Sequence, residues 1–94
     1  MRVLLADDHG IVRRGLRSLL ETDAGVTIVA EASDGLEALR LCEEHEPEML
    51  IVDIGMPKMN GIEVASRTQK LERPPAVIIL SMHSDESYIT RALA

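Results

Sequence analysis

The sequence predicts an α/β protein built on a doubly wound parallel sheet. Three observations carry that reading. Two runs, Met49-Leu50-Ile51-Val52 and Ala76-Val77-Ile78-Ile79-Leu80, are wholly apolar, as strands buried on both faces are. Other stretches repeat their apolar residues every three or four positions, the spacing of amphipathic helices. Strand and helix patterns alternate along the chain, which implies right-handed crossovers and helices on both faces of one sheet.

The elements follow in order. Val3-Leu4-Leu5-Ala6 reads as the first strand. Val12, Leu16, Leu19 and Leu20 form the stripe of a helix over roughly 9–21, with Asp8 as a candidate cap. Asp23-Ala24-Gly25 turns the chain into an outer strand at roughly 26–31, where Val26, Ile28 and Ala30 alternate with Thr27, Val29 and Glu31. Asp34 and Glu37 resemble a capping box for a helix over roughly 35–45, with Ala38, Leu39 and Cys42 inward and Pro47 beyond its end. The Met49–Val52 strand stops at Asp53. Asn60 and Glu63 open a third helix with Ile62 and Ala65 inward, and Pro74-Pro75 stops it. The Ala76–Leu80 strand ends at Ser81. A last helix is expected from Ser84 or Asp85, with Ile89, Ala92 and Leu93 on one face.

Composition sets outer limits. The chain has 94 residues, 46% hydrophobic and 28% charged, the balance of a single globular domain. Tyr88 is its one aromatic residue, so the core is aliphatic. Sixteen acidic against ten basic residues give a net charge of -6, which argues against direct nucleic-acid binding. No apolar run approaches the roughly 18 residues of a membrane span, and the N-terminus lacks the pattern of a signal peptide. A single cysteine, Cys42, excludes an internal disulfide and fits a reducing cytoplasm. There is no internal repeat or low-complexity tract.

In a doubly wound sheet, ligands bind beyond the carboxyl ends of the strands. The first strand delivers Asp7 and Asp8 to that rim, the third delivers Asp53 and the fourth Ser81. Converging carboxylates raise each other's pKa unless a cation neutralises them. Mg²⁺ takes oxygen ligands from carboxylates and waters, often with a phosphate oxygen. The Ser81 hydroxyl can donate to an anion beside it. A lone aspartate would read as a helix cap or a solvated strand end. Three on these strands, with a hydroxyl, read as a metal and anion site.

The same residues carry a family resemblance that covers the whole chain. Asp7-Asp8 after the first strand, Asp53-Ile54-Gly55-Met56-Pro57 followed by Gly61 (the pattern D-x-x-M-P-x-x-x-G), and Leu80-Ser81 resemble the receiver domain of two-component response regulators. Asp7-Asp8-His9, Glu31-Ala32-Ser33-Asp34-Gly35 and Leu80-Ser81-Met82-His83 are similar to the subgroup with a LuxR-type (NarL-like) DNA-binding output domain. The resemblance implies a flavodoxin-like fold with strand order 2-1-3-4. It implies that Asp53 takes a phosphoryl group from a phosphohistidine on a sensor histidine kinase. Asp8, Asp53 and the Gly55 carbonyl would hold Mg²⁺, with Asp7 acting through water. Ser81 would hydrogen-bond the phosphoryl group. Gly55 and His83 would tune its loss as an acyl phosphate. The chain would be a switch rather than an enzyme, beyond its own phosphorylation and slow dephosphorylation.

The family's pattern continues with a fifth strand ending in Lys and a fifth helix. No Lys follows Ser81 here, and Tyr88 is not the family's strand-five aromatic. The expectation is a receiver domain spanning 1–94, truncated within or after its fourth helix and without an output domain. The fourth strand would then be an open apolar edge, which invites a homodimer or segment-exchanged oligomer.

Other residues carry bland readings. His9 is expected in the first turn of its helix rather than as a ligand, His45 as a cation at a helix C-terminus, and Cys42 as inert core. Met56 and Met59 are expected to pack, Pro57 to fix its loop, and Lys58 to be a solvated charge. Arg13, Arg14 and Arg17 read equally as a solvated face or as part of a kinase-docking side. The alternative function is a receiver-like interaction or dimerisation module that takes no phosphate. A haloacid-dehalogenase-type phosphatase wants Asp-x-Asp where this chain has Asp-Asp-His, and a dinucleotide-binding fold wants a glycine-rich loop that is missing.

Overall fold

The computed structural model describes residues 1–80 and 90–92. The elements are β1 (Arg2–Ala6), α1 (Gly10–Leu20), β2 (Thr27–Ala32), α2 (Gly35–His45), β3 (Met49–Asp53), α3 (Gly61–Thr68), β4 (Ala76–Leu80) and β5 (Thr90–Ala92). Strands β1 to β4 run parallel in the order β2-β1-β3-β4, and β5 joins the outer side of β4 antiparallel. The expected parallel order 2-1-3-4 is observed, and β1 to β4, α1 and α2 fall within one or two residues of their expected bounds. Helix α3 opens at Asn60 as expected but ends at Thr68, well before Pro74, and Ile62, expected inward, stands exposed because the packed face is formed by Val64, Ala65 and Thr68.

The strand period of two sorts the core into two layers. Leu4, Ala6, Leu50, Val52, Val77 and Ile79 face α2 and α3, where they meet Ala38, Cys42, Val64 and Ala65. Val3, Leu5 and Ile51 face the other way and pack with Ile28, Ile78, Leu80 and the α1 residues Leu16 and Leu20. Helix α1 buries none of its residues fully, and Ile11 and Leu19 stand exposed. The interior of the sheet is set by β1 and β3, whose central residues are buried.

Local signals explain the helix starts. The Asp34 carboxylate accepts from the Glu37 N–H at 2.8 Å, and Asn60 does the same for Glu63 at 2.9 Å. Glu37 reaches back to the Ser33 N–H at 2.8 Å, one residue earlier than a capping box would place it. Asp8 does not cap α1: His9 holds the cap position and makes no side-chain capping bond. The carboxylate of Asp8 is thereby left available at the rim.

The chain end departs from expectation. Ala92 was expected on a fourth helix, but Thr90–Ala92 is a strand, paired with Ile79, Ile78 and Val77. An uncovered strand of this kind is a row of unpaired N–H and C=O groups, a strong template for extended chain. Thr90 is β-branched and favours that conformation. Strand β4 is therefore not open over Val77–Ile79. Being antiparallel, β5 also differs from the fifth strand expected of the family. The start of the expected helix, with Ser84, Asp85 and Tyr88, lies outside the described residues.

Two loops at the carboxyl rim are locked by close backbone approach. The Gly35 N–H donates to the Pro57 carbonyl at 3.3 Å. A Cβ on Gly35 would lie 1.9 Å from the Met59 carbonyl oxygen. The N-terminus of α2 thus rests directly on the loop after β3, and Lys58 reaches Asp34 across the same seam at 3.6 Å. Gly35→Ala is expected to destabilise the fold by roughly 1–3 kcal/mol, read as a lower urea midpoint with an unchanged slope.

Candidate functional site

Strands β1 and β3 are central neighbours, so their carboxyl ends deliver Asp7 and Asp53 side by side. Asp7 follows Ala6 and takes its backbone position from a 3.0 Å bond to the Ala32 carbonyl at the end of β2. Asp53 is the last residue of β3 and pairs with Leu80 of β4. Both aspartates are almost fully buried, with 2% and 3% of their surface exposed, whereas Asp8 and His9 stand at the surface. One ligating atom from each of Asp7, Asp8, His9 and Asp53 can be chosen so that all four lie within 4.8 Å of one another.

The polar contacts within the cluster are specific. The Asp7 carboxylate accepts the His9 N–H at 2.8 Å. The His9 Nδ1 lies 3.1 Å from an oxygen of Asp7, 3.1 Å from one of Asp8 and 3.7 Å from one of Asp53. Asp53 accepts from the Gly55 N–H at 3.3 Å. His9 is held above its ordinary pKa, first by the hydrogen bond to Asp7 and then by the charge of Asp8. Asp53 is pushed above the ordinary aspartate value, first by burial and then by the neighbouring charges of Asp7 and Asp8, against the Gly55 N–H.

The motif around Asp53 has a mechanical reason. The Gly61 N–H donates to the Ile54 carbonyl at 3.0 Å, and a Cβ on Gly61 would meet the Asp53 carbonyl at 2.5 Å. A side chain there would displace the aspartate itself. Met56 and Met59 are buried in the larger core layer and anchor the loop between them, as expected of packing residues. Lys58 holds φ at 69°, a left-handed conformation usually left to glycine. The Ile54 N–H donates to the Leu80 carbonyl at 2.8 Å, so β4 ends beside the site. Ser81 and His83 lie outside the described residues.

The donor set fits a hard divalent cation. Three carboxylates supply oxygen, two of them buried, and the His9 ring nitrogen lies within 4 Å of all three. The other sequence candidates fall elsewhere. Cys42 is buried with its thiol pushed up to about 12 by desolvation, which makes it inert. His45 ends α2 as expected.

One residue escaped the sequence reading. Arg13 is not part of a bare basic face: its guanidinium donates to Glu31 at 3.0 Å and to the Asp7 carbonyl at 2.7 Å. Arg17 also pairs with Glu31. The available signal was an acidic residue at the end of the second strand facing an arginine one turn into the first helix.

Fold and site together define an α/β signalling class: a doubly wound sheet that carries an acidic cation cluster at its carboxyl rim. The chain belongs to the response regulator receiver domain family, which it matches over residues 3–94, and it is a receiver domain of the NarL/LuxR type of two-component regulator. The transcriptional regulatory protein YhcZ of Bacillus subtilis is 38% identical over 93 residues, which cover 99% of this chain and 44% of that protein. The chain thus spans less than half the length of that relative. The signal receiver domain of the response regulator NarL from Mycobacterium tuberculosis superposes with a TM-score of 0.85 at 36% identity, covering 93% of this chain and 70% of that one. CheY from Borrelia burgdorferi, solved in a complex with CheX, BeF₃ and Mg²⁺, superposes with a TM-score of 0.82 at 29% identity over 93% of this chain and 66% of that one. The flavodoxin-like arrangement is thereby shared with known receiver domains. As a class these are signalling modules rather than ordinary enzymes, take Mg²⁺, and interact with histidine kinases and phosphatases. Among the described residues no helix is long and apolar enough to cross a membrane.

The raised pKa of Asp53 has a defined stability sign. Its ionised form is disfavoured in the folded state, so the cost is present above the ordinary aspartate range and vanishes below it. Without divalent cations, Asp53→Asn is expected to melt above the wild type at pH 7 and to lose that advantage as the pH falls below the carboxylate range. Scanning calorimetry across pH checks both.

Proposed function

We propose that this chain is the phosphoacceptor switch of a two-component pathway, with Asp53 as the acceptor. The single observation that carries the proposal is the meeting of Asp7, Asp8 and Asp53 at one rim, with Asp53 buried on the central strand. An Asp53 carboxylate oxygen attacks the phosphorus of a phosphohistidine on a sensor histidine kinase. The P–N bond breaks, the imidazole leaves with the bond's electrons, and Asp53 becomes an acyl phosphate. Water later attacks that phosphorus and releases inorganic phosphate.

Asp8, Asp53 and the Gly55 carbonyl are the groups assigned to Mg²⁺, with Asp7 acting through water. When bound, the cation neutralises charge on the transferring group. The protein's own contribution is positioning. The Gly55 N–H orients Asp53, Gly61 lets the loop close on the Asp53 carbonyl, and the pairing of β3 with β4 holds the strand end in place. Ser81 is assigned to a phosphoryl oxygen, and Gly55 and His83 to the lifetime of the acyl phosphate. Gly55 supports its part by being exposed and without a side chain to shield the site from water. The DNA-binding output is assigned to the additional length of the related regulators, and a cytoplasmic setting follows from a kinase partner of this kind.

Incubation with acetyl phosphate and Mg²⁺, followed by intact-mass spectrometry, is expected to show one phosphoryl adduct that is lost in Asp53→Asn. A folded wild type without adduct would favour the phosphate-independent interaction module instead. The open β4 edge that suggested self-association is covered over Val77–Ile79, so self-association is proposed only as β5 exchange, in which the β5 of a second copy makes the same pairing. Light scattering on dilution is expected to show a dimer, and a monomer at every concentration removes this partner.

A further inference from the structure

The N–H, the carbonyl and one carboxylate oxygen of Asp7 are each tied. Its N–H donates to the Ala32 carbonyl at 3.0 Å, its carboxylate accepts the His9 N–H at 2.8 Å, and its carbonyl accepts from the Arg13 guanidinium at 2.7 Å. The third of these contacts comes from a side chain, and that side chain is itself held. Arg13 Nε donates to Glu31 at 3.0 Å, and Arg17 takes the other oxygen of Glu31. Both Arg13 and Glu31 keep only about a quarter of their side-chain surface, 24% and 23%. A partly desolvated, charge-assisted pair of this kind is stronger and better oriented than an ordinary surface ion pair.

The geometry points to Arg13, braced by Glu31, as the positioning residue of the cation site, an inference that rests on the site reading above. The reason lies in the planarity of the peptide bond. The Asp7 carbonyl and the Asp8 N–H belong to one rigid plane. Holding the carbonyl sets the orientation of that plane, which sets where the Asp8 Cα lies and where its carboxylate emerges. Arg13 therefore aims Asp8, the exposed and otherwise least constrained carboxylate of the cluster, without touching the cation. Glu31 balances the guanidinium charge, so the brace does not repel the ion it prepares for.

For Arg13→Ala positioning and electrostatics predict opposite signs, and Arg13→Lys keeps the charge, so these two variants decide; for Glu31→Gln both predict a loss. Deleting a nearby positive charge alone would tighten cation binding, whereas losing the brace weakens it. Mg²⁺ is titrated calorimetrically into wild type, Arg13→Ala, Arg13→Lys, Glu31→Gln and, as a same-charge control on α1, Arg14→Ala. Residues that orient metal ligands typically matter by tenfold or more. The expectation is an approximately tenfold weaker Kd for Arg13→Ala, a similar loss for Arg13→Lys, whose single ammonium cannot hold both Glu31 and the Asp7 carbonyl, and a smaller loss for Glu31→Gln. Arg14→Ala stays at the wild-type value or tightens. An Arg13→Ala that folds and binds Mg²⁺ as tightly as the wild type, or more tightly, overturns the proposal. If Arg13→Ala does not fold, Arg13→Lys decides: weakened binding supports the brace and wild-type binding overturns it. A wild type that binds no Mg²⁺ overturns the site reading and the brace with it, an outcome distinct from failure of the brace alone.

Discussion

The structure is organised around the cost of gathering three carboxylates at one point. Asp7 and Asp53 are buried and Asp8 is adjacent, so their mutual repulsion is poorly screened. Nothing in a folding core favours that arrangement. It persists because each aspartate continues a central strand whose packing is settled several residues earlier, by Leu4 and Leu5 in β1 and by Leu50 and Val52 in β3. Hydrophobic burial along the strands therefore sustains the electrostatic strain at their ends. His9 relieves part of it by placing its ring nitrogen against all three acids. A bound cation would offset the repulsion that remains, which is what the proposed phosphoryl switch requires.

Around that cluster the backbone does the work that side chains cannot. Gly61 is needed because the loop after β3 closes onto the Asp53 carbonyl, and Gly35 because α2 begins on top of the Met59 carbonyl. The two close approaches link Asp53, its loop and the α2 N-terminus into one unit. The brace from Arg13 does the same on the other side, tying α1, the end of β2 and the Asp7–Asp8 peptide together. The acidic rim is thus reached by rigid backbone from both flanks, which reduces the reorganisation that cation or phosphoryl binding would demand.

Much of this was legible in the chain. The apolar runs at Met49–Val52 and Ala76–Leu80 read as buried parallel strands because a strand covered on both faces has no polar side to show; in the second run only Val77 and Ile79 are fully buried, while Ile78 and Leu80 are half-buried on the α1 side. The caps at Asp34 and Asn60 are local and depend on residues three apart, so they too were readable. Asp8 read both as a candidate cap and as a ligand because the two roles ask for the same residue type at the same position, and only the observed hydrogen bonds remove the cap. The helix expected to include Ala92 gave way to β5 because its local pattern competed with a non-local one, the exposed edge of β4, which no window of sequence contains.

The sequence alone determined the strand–helix alternation, the burial of the central strands and the delivery of Asp7, Asp8 and Asp53 to one rim, since each follows from local periodicity and a general rule of parallel sheets. Tertiary structure alone decided which groups touch. That His9 contacts all three acids, that Arg13 holds the Asp7 carbonyl while Glu31 holds Arg13, and that Gly35 and Gly61 are demanded by carbonyls beside them all depend on segments far apart in the chain. Such contacts are set by the ångström-level docking of helices on the sheet, which residue type and spacing do not encode.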